Sequence, residues 1–88
     1  MNNKTAMETV ENFLQSVVTK LVTLPEEVSI RSREDTRGKV LYVSLNQKDA
    51  GGVIGRQGAV AKSIRTLVRS IGYSIENKRC SVIFDIPE

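Results

Sequence analysis

Residues 51–58 read GGVIGRQG, so four of the chain's six glycines fall within eight positions. This stretch restricts the fold more than any other, because AVAKSIRTLVRSIG, which follows at once, is patterned as an amphipathic helix. Val60, Ala61, Ile64, Leu67, Val68 and Ile71 form its apolar stripe, and Lys62, Arg65 and Arg69 form a basic stripe roughly opposite. Gly72 stands where a C-terminal cap is expected. Upstream, Asn46 can cap a short helix over about 47–54, with Asp49 favourably placed in its first turn. That helix is weak in itself, since Gly51 and Gly52 each cost about 1 kcal/mol relative to alanine in a helix interior. Gly55 and Gly58 then bracket a two-residue loop between two helices. So short a loop needs backbone angles that residues bearing a Cβ reach only with strain, and this demand alone accounts for two of the four glycines.

The rest of the chain supplies a sheet. Thr5, Ala6, Met7 and Glu8 form a T-x-x-E capping box, and Met7, Val10, Phe13, Leu14, Val17, Val18 and Leu21 recur at helical spacing behind it. A first helix is expected over about 6–22, closed by Pro25, which forces Leu24 out of the helical region. Val28 and Ile30, then Leu41, Val43 and Leu45, alternate with polar neighbours as half-buried strands do, and Asp35–Gly38 supplies the turn of a hairpin. Cys80, Val82, Phe84 and Ile86 alternate with Ser81, Ile83 and Asp85 in a last strand that stops at Pro87. The order helix, strand, strand, helix, helix, strand packs economically as an α+β sandwich, a three-stranded sheet covered on one face by three helices.

Eighty-eight residues suit one domain over 1–88, with about the first five frayed. No apolar run approaches the ~18 residues of a membrane span, and the N-terminal stretch lacks a signal peptide's apolar region. With one cysteine, Cys80, the chain can build no internal disulfide framework, which fits a reducing cytoplasm. Histidine is absent, Cys80 falls in a core strand, and none of Asp35, Asp49 or Asp85 has a partner at catalytic spacing, so an enzyme is not expected. Neither a metal nor a cofactor is expected, for want of histidines, paired cysteines or an acidic loop.

Charge is distributed unevenly. Residues 1–47 carry six basic and six acidic groups, whereas residues 48–79 carry seven basic and two acidic. A positive field of this kind around the glycine stretch favours polyanionic partners. The loop would deliver free N–H groups and the positive end of the following helix to one place, with no side chain at Gly58 to hold a phosphate away and with Arg56 at its tip. The spacing from Gly52 is G-x-x-G-x-x-G, which is neither the dinucleotide fingerprint nor the P-loop, and no strand runs directly into it.

Val53, Ile54, Gly55, Arg56, Gln57 and Gly58, followed by Ala61 and Ile64, do match the V-I-G-x-x-G motif of K homology domains. In that module the loop clamps the backbone of about four nucleotides. With DAGGVIGRQGAVAKSIRTLV, the terminal ENKRCSVIFDI and the type II element order, nearly the whole chain resembles the bacterial KhpA family of single type II K homology domains. The resemblance implies a cytoplasmic protein that binds single-stranded RNA and forms homodimers or pairs with the larger, Jag-type KhpB. It further implies an RNA chaperone or post-transcriptional regulator with links to small regulatory RNAs, to cell-envelope growth and cell shape, or to ribosome-related work, among which the residues do not decide. Gly52 stands where such sequences commonly have lysine or arginine, and Gln57 leaves the loop a single charge, so weak affinity is expected.

Beyond the loop, Lys62, Arg65 and Arg69 could track phosphates, with Lys48 just before it. Tyr42 and Tyr73 are the only aromatics expected to be exposed, so apolar contacts from Val53, Ile54 and the second strand must replace most base stacking, which implies low sequence selectivity. The alternative reading is a protein-interaction module. Ser63, Leu67 and Ser70 share a flank of the long helix where small side chains would let a second copy approach.

Overall fold

The computed structural model describes residues 9–86. The Thr5–Glu8 capping box and the fraying expected of the first residues lie outside the described residues. Thr9, extended at φ −95°, ψ 158°, caps helix α1, Val10–Thr19, its hydroxyl accepting from the Asn12 N–H at 3.1 Å. The helix ends before the expected position 22 because its last turn tightens: Lys20 N–H donates to Val17 and Leu21 N–H to Val18. Pro25 then opens a single 3-10 turn, Pro25–Glu27, and Leu24 before it is non-helical, as the proline requires.

Strands β1, Ser29–Asp35, and β2, Gly38–Ser44, pair antiparallel around Thr36 and Arg37. The Asp35 carboxylate accepts from the Arg37 N–H at 2.8 Å within that turn, which holds its pKa below the usual carboxylate value. Strand β3, Cys80–Phe84, runs parallel to β2 with Leu41 opposite Val82, so the order is β1-β2-β3 and β2 is central.

Between β2 and β3 the chain forms a 3-10 turn, Gln47–Asp49, capped by the Asn46 side chain as expected. Helix α2, Ala50–Ile54, a short turn Arg56–Gly58 and helix α3, Ala59–Glu76, follow. All three helices lie on one face of the sheet, where Val10, Leu14, Val18, Leu41, Val43, Val53, Ile64, Val68, Cys80 and Val82 form the core. The α+β fold and its element order are those expected from the sequence.

One boundary is corrected. Helix α3 runs on through Gly72 to Glu76, and Asn77, left-handed at φ 55°, is the cap, its N–H donating to the Tyr73 carbonyl at 3.2 Å. Gly72 is instead a packing glycine, buried against Cys80, where a Cβ would meet the Sγ at 2.5 Å.

Candidate nucleic-acid interface

The bend between α2 and α3 is built from three consecutive demands on the backbone. Gly55 (φ 80°, ψ 173°) ends α2, Gln57 (φ 57°) is left-handed, and Gly58 (φ 76°) starts α3. The two glycines are required for different reasons. A Cβ at Gly55 would lie 2.5 Å from the Val60 Cγ2, so contact and angle both forbid it; a Cβ at Gly58 would point into open space with nothing within 4 Å. The outer side of Gly58 is therefore an unobstructed approach to the main chain at the start of an 18-residue helix. Arg56 and Gln57 are exposed at the tip.

Helix α3 carries Lys62, Arg65 and Arg69 on one exposed flank. Arg65 shows which way that flank looks. Its Nε donates to the Val82 carbonyl at 3.3 Å and its guanidinium lies 5.3 Å from the centre of the Phe84 ring, so the basic stripe borders β3 at the sheet edge. Lys48 is exposed in the turn before α2. The bend and the three α3 cations thus form one continuous surface along the helix and its neighbouring edge strand.

Two expected contacts are corrected. Val53 is fully buried in the core, because it is the residue that fastens α2 to the sheet; Ile54 remains half-buried beside the loop. Strand β2 is central, so its outward residues Val40 and Tyr42 lie on the sheet face away from the helices, and β3 is the strand that borders the basic stripe. Tyr73 is exposed as expected, and Tyr42 is half-buried. On the opposite flank of α3, Leu67 is 48% exposed between Ser63 and Ser70, both exposed as well.

Sequence reasoning missed two charged anchors. Asp49 was expected only to complement a helix dipole. It is instead buried, its Oδ1 accepting from the Thr23 N–H and hydroxyl at 2.9 Å each and its Oδ2 from the Leu24 N–H at 3.1 Å. The Thr23 N–H foremost holds its carboxyl below the usual pKa, against the opposing effect of burial. This ties the start of α2, and hence the glycine bend, to the end of α1. Lys39, in β2, is buried between Glu11 and Glu76 and pins α1 and α3 to the sheet. Signals for such pairs, 25 to 37 residues apart, do not exist in local sequence. Burial, reinforced by the Glu76 charge, raises the Cys80 thiol pKa, which opposes thiolate chemistry.

A helix-sheet sandwich whose tight bend between paired helices carries G-R-Q-G has the form of a K homology domain. The family model for the KhpA/KhpB KH domain matches residues 11–84, and the chain belongs to that family. Among its relatives, the RNA-binding protein KhpA of Lactiplantibacillus plantarum is 40% identical over 68 residues, covering 77% of this chain and 80% of that protein. The protein of the same name from Streptomyces coelicolor is 42% identical over 62 residues, 70% and 78% of the two chains. That from Streptococcus pneumoniae is 32% identical over 79 residues, 90% and 98%. These relatives are named for binding, not catalysis, in agreement with the expectation that the chain is not an enzyme. No helix among the described residues is long and apolar enough to cross a membrane.

Proposed function

We propose that this chain binds single-stranded RNA in the cytoplasm, clamping the sugar-phosphate backbone at Gly55, Arg56, Gln57 and Gly58, and acts as an RNA chaperone or post-transcriptional regulator. The observation that carries this reading is the open approach to Gly58, flanked by exposed Arg56 and Gln57 and continued by the Lys62, Arg65 and Arg69 stripe. Main-chain amides and arginines recognise phosphate oxygens without reading bases, so selectivity is low. That relatives bear the name RNA-binding protein supports RNA as the ligand. Neutralising about four phosphates gives log affinity a slope against log salt of about −3 for single strands. The direct test is Arg56→Asp with Gln57→Asp, which places two negative charges where the phosphate would lie; RNA affinity should fall with the fold unchanged, and full retention of RNA defeats the reading.

A second reading, compatible with the first, is supported by Leu67. Its exposure between two serines suits the approach of another K homology domain, either a second copy of this chain or a KhpB (Jag-type) protein. A dimer would bring two clamps to one RNA and raise avidity. Sedimentation of Leu67→Asp tests this: a dimer that persists unaltered excludes the face.

A further inference from the structure

The sheet face turned away from the helices is left uncovered by every described element, and its composition is not that of a merely solvated surface. Register places Arg31, Tyr42 and Ile83 in one cross-strand row and Arg33, Val40 and Ser81 in the next. Ile83 is 46% exposed, and Tyr42 and Val40 are half-buried, so an aromatic and two β-branched side chains form an apolar centre about two strand spacings, or ~10 Å, across. Charges ring it. Arg31 lies 3.6 Å from Asp85 and Arg37 lies 3.5 Å from Asp35, both in exposed pairs of little energetic weight. Among the described residues, the side chains of Arg33 and Arg79 have no ion pair or hydrogen bond. Arg79 and Arg37 also border a hollow of about 410 Å³ that ends on Val40 and Ser81. Among the described residues, both acidic groups of this face are thus matched, and two cations remain beside a tyrosine and exposed aliphatic surface.

We infer that this open sheet face is a second binding surface for single-stranded RNA, on which bases pack against Tyr42, Val40 and Ile83 while Arg33 and Arg79 take phosphates. Residual positive charge selects a polyanion, and a flat aromatic-aliphatic platform gives unpaired bases a π-face to cover. Continuity with the glycine bend supports the same occupant. β3 is the edge strand: its Val82 carbonyl and Phe84 ring meet Arg65 on the helix side, and Ile83 between them looks out on the open side. RNA leaving the α3 stripe therefore crosses one strand to reach Ile83. This inference rests on the proposed clamp for the choice of ligand but uses none of its residues.

Fluorescence anisotropy with labelled oligouridylates of about 5 and about 15 nucleotides tests it, the shorter spanning the clamp alone and the longer both surfaces. Arg33→Ala with Arg79→Ala should weaken the longer RNA about tenfold and make its salt slope shallower by about 1.4, since each phosphate contact contributes about 0.7. The shorter RNA should bind as before. Tyr42→Ala should repeat the selective loss with little change of slope. Because Tyr42 lies in the central strand, the arginine pair, which removes only surface charge, decides the matter if Tyr42→Ala fails to fold. An unchanged affinity and slope for the longer RNA in the arginine variant overturns the inference, as does a shift in sedimentation at unchanged RNA affinity, which would assign the face to a protein partner. If Arg56→Asp/Gln57→Asp still holds the shorter RNA, the clamp reading fails, and the arginine variant continues to judge the sheet face by itself. Should the parent protein hold neither RNA, both readings fall.

Discussion

Gly72 and Cys80 pack so closely that a Cβ at position 72 would lie 2.5 Å from the Cys80 Sγ and 2.8 Å from its Cβ. Helix α3 and strand β3 therefore meet through a missing side chain. Helix propensity favours alanine over glycine by about 1 kcal/mol, whereas overpacking a core costs about 1–3 kcal/mol. The obstacle is rigid, being attached to a strand, so contact should win: Gly72→Ala is expected to lower stability by about 1–2 kcal/mol, read as a lower urea midpoint. Adding Cys80→Ala removes the Sγ but leaves the Cβ, and the double variant should recover only part of the loss. Stability equal to the parent in the single variant would mean that α3 is free to shift on the sheet.

The two loop glycines should separate folding from binding. Gly55→Ala meets both a positive φ and the Val60 side chain, so a loss of about 2 kcal/mol or more is expected in thermal denaturation. Gly58→Ala meets only the angle, at about 1–2 kcal/mol, but sets a methyl group on the open approach to the main chain. RNA titration at a temperature where both variants are folded should therefore show the larger affinity loss for Gly58→Ala. The reverse order would count against backbone clamping.

How far the sequence carries the fold depends on the range of the forces involved. Period-two alternation in Leu41, Val43 and Leu45 and the helical stripe of Ile64 and Val68 translate directly into burial, because each residue's face is set by its own element. The bend was legible for the same reason: Gly55 and Gly58 answer a local demand on φ. Gly72 misleads, since a glycine near a helix end has the local look of a cap, while the contact that requires it comes from Cys80 on another element. Val53 misleads likewise. Its place beside the loop says nothing of the α2 orientation that turns it into the core. Order along the chain also conceals that β3, last in sequence, is the strand that adjoins the basic stripe, and that Arg65 leans onto it.

Asp49 should govern acid stability near the bend. Its two oxygens accept three hydrogen bonds, and in Asp49→Asn the new amide would face either the Thr23 or the Leu24 N–H, donor against donor. A cost of about 1–3 kcal/mol is expected. The folded carboxyl has a lowered pKa, so its contribution is present above the ordinary value of about 3.9 and is lost as pH falls through the folded value. Urea midpoints measured from neutrality down through about pH 4 and below should fall more steeply for the parent than for Asp49→Asn. Parallel curves would show that Asp49 is not ionised in the bond that ties α2 to α1.

Lys39 should act at the other end of the pH scale. Its Nζ lies 2.6 Å from the Glu76 Oε1 and 3.0 Å from the Glu11 Oε2, with the lysine side chain 8% exposed. Burial disfavours the ammonium, yet hydrogen bonds to Glu76 and then Glu11 outweigh it and raise the pKa. A raised lysine contributes stability fully present below the ordinary value of about 10.4 and lost as pH climbs through the folded value. Breaking a buried pair from one side costs about 3–5 kcal/mol, and Lys39→Met leaves the Glu11 and Glu76 carboxylates together over β2 without their cation, so a loss of that order is expected at neutral pH. Adding Glu76→Gln should return part of it, because the glutamine can still accept from the Val10 N–H that Glu76 now satisfies at 2.9 Å. As pH climbs above about 10.4 the parent should lose stability that Lys39→Met has already forfeited, and the two denaturation curves should converge. A constant gap across that range would mean that Lys39 holds α1 and α3 to β2 by the packing of its methylenes, not by its charge.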